Sequence, residues 1–191
     1  MKIATKILPR KYKIIMKFSK KVVSDANGLK TIRLEADAIV VKNCKIEAAE
    51  DGVVYLSVPE ESREGLIAMD EKILAKAKKS SEAWFGREIG EAVIDAAYRP
   101  LGKAGTVKVA LAKDAIIYDA SDRDLDSVPP EGSTVHVALE PTSVQIAKSD
   151  LLANVELVQM KLTRAKKQPK QRVKFDIPAE PEEDSEEEYE D

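Results

Sequence analysis

The sequence predicts a mainly β fold with a helical insertion (α+β), closing as a small barrel or sandwich and followed by a disordered acidic C-terminal tail. Apolar residues alternate with period two over most of residues 12–58 and 106–162, the period turns helical between residues 60 and 99, and residues 176–191 carry acids and no base. A chain of 191 residues makes one domain of ordinary size, and 43% hydrophobic with 34% charged residues suffices for a core under a heavily charged exterior. The predicted layout is a domain over 1–162 with its insertion at 60–99, a basic linker at 163–175 and the tail at 176–191.

In the first stretch Tyr12, Ile14, Met16 and Phe18 share one face, and Lys11, Lys13 and Lys17 the other, which describes a half-buried strand with a basic outer row. Turn chemistry at Asp25-Ala26-Asn27-Gly28 leads to extended stretches over Thr31–Leu34 and Ala38–Ile46. Val53–Val58, reached through Asp51-Gly52, completes a four-stranded meander. Leu66, Met69, Ile73, Leu74 and Ala77 then line a helical face, with lysines in its last turn where they favour the dipole. Ser80 or Ser81 can cap a second helix carrying Trp84, Phe85, Ile89, Val93, Ile94 and Ala97, which Arg99-Pro100 ends. Strands return at Thr106–Leu111, Ala115–Tyr118, Ser133–Leu139, Thr142–Ile146 and Val155–Leu162, separated by acidic, proline and glycine turns.

Cys44 is the single cysteine, so no internal disulfide forms; in an apolar strand it reads as a small buried hydrophobe in a reducing, intracellular setting. Pro9, Arg10 and Lys11 break the N-terminal apolar stretch before it can form a secretory h-region, and no run is long and apolar enough to span a bilayer. The motifs of nucleotide loops, zinc sites and nucleophile elbows are missing. His136, the single histidine, alternates away from Val135, Val137 and Leu139 as a surface or groove residue rather than a base. Acid pairs such as Asp122 with Asp124, or Glu60 with Glu61, sit in turns and at a helix start, where acids serve structural ends. The pattern is that of a binding protein that needs no cofactor, not of an enzyme.

Charge segregation is the strongest functional signal. Ten of the 34 acids lie within 176–191; the other 24 face all 31 bases, so residues 1–175 carry +7 and the tail -10. Residues 161–174 alone hold seven bases and no acid. A row of lysines on one strand is usually only a solvated face, but Lys20 and Lys21 extend this row and the second basic cluster reinforces it, as expected of a protein that meets phosphates. Single strands are held by basic grooves with aromatic platforms. Tyr12, Phe18, Tyr55, Tyr98 and Tyr118 are positional candidates, each of which suits the core better than a platform, and Trp84 and Phe85 suit it better still. The selected phosphate contacts are Lys11, Lys13, Lys17, Lys108, Lys161, Arg164, Lys166 and Lys167, and the selected stacking residues Tyr12, Tyr55 and Tyr118. The tail mimics a polyanion: it can occupy the basic groove until DNA displaces it, then meet partner proteins, with Glu186, Glu187, Glu188 and Tyr189 as candidate contacts.

From residue 106 onward the order Val107-Lys108-Val109-Ala110-Leu111, Ile116-Ile117-Tyr118-Asp119, a glycine-bearing turn into Val135–Leu139, Thr142–Ile146 and a closing Val155–Leu162 strand with Gln159 inside it resembles one known group. The resemblance is to the single-stranded DNA-binding proteins of nucleo-cytoplasmic large DNA viruses, which are similar in layout to acidic-tailed phage proteins of the same activity. Trp84-Phe85 within the insertion fits as well, whereas Asn154-Val155-Glu156 replaces a more aromatic start to the last strand. The resemblance implies an OB-like barrel that coats displaced strands in a viral replication compartment and recruits replication proteins through its tail. Single-stranded DNA is the partner so expected; a membrane is not, and an oligomer is neither required nor forbidden. Two other readings stand beside it. One is a protein-interaction or histone-chaperone-like module acting through the tail, and the other a virion structural protein of sandwich type.

Overall fold

The structure, a computed structural model, describes residues 14–148 and 150–164. The strands are β1 (Met16–Ser24), β2 (Lys30–Ala36), β3 (Ile39–Glu50), β4 (Val53–Ser57), β5 (Tyr98–Arg99), β6 (Thr106–Tyr118), β7 (Thr134–Ile146) and β8 (Leu151–Arg164). Helices α1 (Glu64–Lys79), α2 (Ser81–Phe85) and α3 (Glu91–Ala97) lie between β4 and β5.

Alternation explains the strand faces: Val54 and Leu56, Val107 and Val109, and Val135, Val137 and Leu139 are all buried, while their sequence neighbours point outward. β3 pairs with β4, β4 with β6, β6 with β8, β8 with β7, and β7 back with β3, so five strands close a barrel. Only the β6–β8 contact among these five is parallel. Numbered along the chain, the barrel strands run 1-2-3-5-4-1, the Greek-key order of an OB-like barrel. The mainly β fold with a helical insertion is thus the one expected, and the barrel rather than the sandwich is what forms.

Several expected boundaries change, each for a local reason. The first four strands are not a meander, because β2 pairs with the far half of β7, from Ser143 to Ile146, instead of with β3. β7 runs through Pro141, which has no N–H to donate and falls between the half paired with β3 and the half paired with β2. Thr106–Leu111 and Ala115–Tyr118 are likewise one strand: residues 112–115 bulge out between Leu111 and Ile116, opposite the single β8 residue Val158. The second helix is divided by Gly86, whose φ of 79° is the left-handed cap that ends α2.

The helical insertion is fixed by one buried carboxylate. Asp70, on the same face of α1 as Leu66, Met69, Ile73 and Ala77, is 6% exposed. It accepts the Tyr98 hydroxyl at 2.6 Å and the backbone N–H groups of Gly102 at 2.7 Å and Leu101 at 3.3 Å. A Cβ on Gly102 would come within 2.6 Å of Ile67, so only glycine lets the chain pass this close to α1. Trp84, 3% exposed, lies against Phe18 of β1 with ring centroids 5.7 Å apart, so both rings belong to the core.

Burial pushes the Asp70 carboxyl above its ordinary value, outweighing the lowering hydrogen bonds from Tyr98, Gly102 and Leu101. A raised folded pKa adds stability below the unfolded pKa that is lost as pH rises through the folded one. The melting-temperature advantage of wild type over Asp70→Asn should therefore be larger near pH 4 than near pH 7. Asp70→Leu strands three donors and should cost about 2–4 kcal/mol in urea unfolding at pH 7; an unchanged midpoint would refute the anchoring role.

Candidate nucleic-acid interface

Two of the residues selected from sequence meet on the outside of the barrel. Tyr55 in β4 and Lys108 in β6 are direct register partners, and the Lys108 ammonium lies 5.9 Å from the centroid of the Tyr55 ring. Their flanking residues Val54, Leu56, Val107 and Val109 point into the core, so both side chains must face solvent. A cation over an aromatic face in such an exposed place contributes about 0.5–1 kcal/mol, enough to bias the geometry but not to lock it.

The floor around this pair is low. Tyr55 is opposite Ala48 on its other side; the next row holds Val53 opposite Ala110, and the row before it Ser57 opposite Thr106. A half-exposed ring among alanine, serine and threonine leaves room for a flat group to lie on it, with an ammonium beside it. Alternation with Val107 and Val109 marks Ala110 as outward, but Ala48 shares the phase of the buried Cys44 and Ile46 and comes beside the ring only through the bulge between Ile46 and Ala48. The β3–β4 turn rises at one end, where Asp51 and Gly52 take φ of 50° and 74°, the left-handed pair of a tight hairpin. Acids lie at the margin: Lys45 and Glu47 of β3 are 3.5 Å apart.

A second group of selected residues gathers at the other end of β6. Tyr118 is opposite Lys161, and Lys161 is opposite His136 across β7. The Lys161 ammonium is bound to the Asp122 carboxylate, so it meets an anion supplied by the β6–β7 loop. That loop is braced by Asp119, whose carboxylate takes the N–H of Arg123 at 3.0 Å and of Ser121 at 2.7 Å. The Arg123 bond is the main reason its pKa lies below the ordinary value. His136 Nδ1 accepts the N–H of Asn43, a residue with φ of 56° in a bulge of β3, so the imidazole holds backbone in place.

Lys17 is exposed in β1 opposite Glu35, away from both groups. Arg164 ends β8 with its backbone opposite Thr134. Lys11, Tyr12, Lys13, Lys166, Lys167, Glu186, Glu187, Glu188 and Tyr189 lie outside the described residues, as does the tail expected to be disordered. Tyr98 is removed from the stacking candidates by its burial against Asp70. Cys44 is fully buried, and burial pushes its thiol up to about 12, which keeps it protonated. Among the described residues no three metal-ligating side chains gather, and no helix is long and apolar enough to cross a membrane.

A five-stranded Greek-key barrel with an exposed aromatic–cation pair on its second and third strands defines the class of this protein as an OB-like β-barrel protein. The chain belongs to the family of unknown function DUF5871, whose family model matches residues 42–175. Among solved structures it is similar to the single-stranded DNA-binding protein from bacteriophage Enc34, at 12% identity over 86% of this chain and 97% of that one, with a TM-score of 0.41. It is also similar to gp2.5, a single-stranded DNA-binding protein encoded by bacteriophage T7, at 14% identity over 82% and 89% of the two chains, with a TM-score of 0.42. No curated protein matches.

The Lys161–Asp122 pair is open to solvent, with side chains 39% and 70% exposed, so it contributes little to stability. Asp122→Asn, which removes the charge but suits the left-handed φ of 62° at this position, should move the unfolding free energy by less than about 1 kcal/mol. Thermal denaturation at two salt concentrations checks this, and a loss well beyond that range would show that the loop depends on the pair.

Proposed function

We propose that this protein binds single-stranded DNA without regard to sequence, with Tyr55 as a base-stacking platform and Lys108 as the adjoining phosphate contact. The observation that carries this is their pairing on the outer face of the second and third barrel strands, the face by which OB barrels take oligonucleotides. Stacking suits a binder indifferent to sequence, because every base offers a flat face. The +7 of residues 1–175 supplies the electrostatic attraction.

Lys11, Lys13, Lys17, Arg164, Lys166 and Lys167 extend the phosphate track, and Tyr118 with Lys161 forms a second contact once Asp122 is displaced. The acidic tail competes with DNA for the basic surface and, when displaced, recruits partner proteins through Glu186, Glu187, Glu188 and Tyr189. The resemblance to the large-DNA-virus proteins extends the role to viral DNA replication, recombination or repair, in the replication compartment of an infected cell.

Fluorescence anisotropy of a labelled oligonucleotide tests the core of this. Tyr55→Ala should weaken binding by about 1–3 kcal/mol, and Lys108→Ala should make the salt dependence shallower by about 0.7 in log–log slope. Truncation to residues 1–175 should tighten binding. If neither the full chain nor the truncated one binds, or if duplex competes as well as single strand, single-strand binding is not the function.

A further inference from the structure

β1 does not run evenly past β2. Phe18 is opposite Leu34 and the next pair is Val22 with Ile32, so Ser19, Lys20 and Lys21 together face the single residue Arg33. The bulge is held from within: Ser19 Oγ accepts the N–H of Lys21 at 3.0 Å and donates to the Lys21 carbonyl at 3.3 Å. Bulges bend a strand and re-aim its side chains. Here the bulge collects three exposed cations over one residue's length of the partner strand.

None of the three has a carboxylate within 4.0 Å among the described residues. Glu35 and Glu140 share a groove with Lys17 and Arg33, which Lys20 and Lys21 do not line, so the acids offset part of the charge of Lys17 and Arg33 and leave the two bulge lysines positive. Packing does not explain such a cluster, since like charges facing each other across a hairpin destabilise it. Lysines on an edge strand can serve to repel other strands. Arg33 cannot be explained that way, because β2 is an inner strand between β1 and β7.

We propose that this bulge is a second phosphate-binding site, formed by Lys20, Lys21 and Arg33, that holds the backbone of a single strand beyond the part bound at Tyr55 and Lys108. It rests on the single-strand function proposed above. The site takes backbone and not bases, because the ring beside it, Phe18, is turned inward against Trp84. It is three strands from Lys108, through β7 and β8. Arg33 is opposite Ser143, Ser143 is opposite Asn154 of β8, and Ala110, two residues after Lys108, is opposite Glu156, two residues after Asn154, so Arg33 and Lys108 are level across the sheet. At about 4.8 Å between strands, the path from Lys108 to Arg33 is on the order of 15 Å, so one bound strand can reach both.

The experiment measures binding of a 5-mer and a 20-mer, lengths of about the lower limit and just beyond the upper limit of one OB site, to full-length wild type and Lys20→Ser/Lys21→Ser. Thermal denaturation first confirms that the variant folds. We expect the 20-mer to bind about tenfold more weakly with a log–log salt slope shallower by about 1.4, the value for two single-strand phosphate contacts, and the 5-mer, which offers fewer phosphates, to weaken no more than that. Lys20→Arg/Lys21→Arg should restore the 20-mer. If the 20-mer is unaffected while Tyr55→Ala still weakens the 5-mer, the second site is refuted and the barrel site stands. A 20-mer effect that vanishes in residues 1–175 would assign the bulge to the acidic tail instead. If wild type binds neither oligonucleotide, both proposals fall together.

Discussion

The parallel pairing of β6 with β8 is the constraint on which the rest of the structure depends. Without it, β4 and β6 would form the open edge of a curved sheet, with Tyr55 and Lys108 beside an unpaired strand. Closing the barrel forces β8 to serve two neighbours, β6 on one side and β7 on the other, and so it must be long. β7 in turn spends one half on β3 and the other on β2, which carries the β1–β2 hairpin as an outrigger of the barrel. Bulges at residues 112–115, at Pro141 and at Asn43 absorb the curvature that closure demands.

Asp70 connects this barrel to its helical insertion. Its carboxylate holds the Tyr98 hydroxyl and the backbone at Leu101 and Gly102, and β6 begins only four residues after Gly102. The start of β6, and through it the position of Lys108, is thereby referred to α1 rather than left to a free loop. The polar contact is directional where hydrophobic packing is not, which suits a joint that must fix one register. The burial that strengthens this contact is also what disfavours the ionised carboxyl.

Cations on this surface differ in how much of their charge is free. Lys161 is bound by Asp122, Lys78 by Glu91 and Asp95, and Lys45 by Glu47, so these present little net charge to a polyanion. Lys108 lies by a ring, and among the described residues neither it nor Lys20, Lys21 or Arg33 makes an ion pair. Net charge alone therefore overstates some parts of the surface and understates others. What matters to a phosphate is the pattern of unpaired cations, which depends on which acids the fold brings alongside.

Much of the architecture is legible in the amino-acid order. Period-two alternation marks β4 and the separate parts of β6 and β7, the helical stripe marks α1, and the burial of Cys44 and Trp84 follows from their apolar surroundings. These are local matters, decided by which side chains a strand or helix must turn away from water. Alternation also places Tyr55 and Lys108 outward, each on its own strand. It cannot place them side by side, because register between residues 53 apart is settled only when the barrel closes. The same holds for the merging of split strands across Pro141 and residues 112–115, for the acid that occupies Lys161, and for Arg33 facing the bulge of β1. The sequence by itself determined the elements, their faces and the segregation of charge, since those follow from short-range pattern and composition. The tertiary structure decided which residues from distant elements share a surface, since that depends on long-range strand pairing that no local pattern encodes.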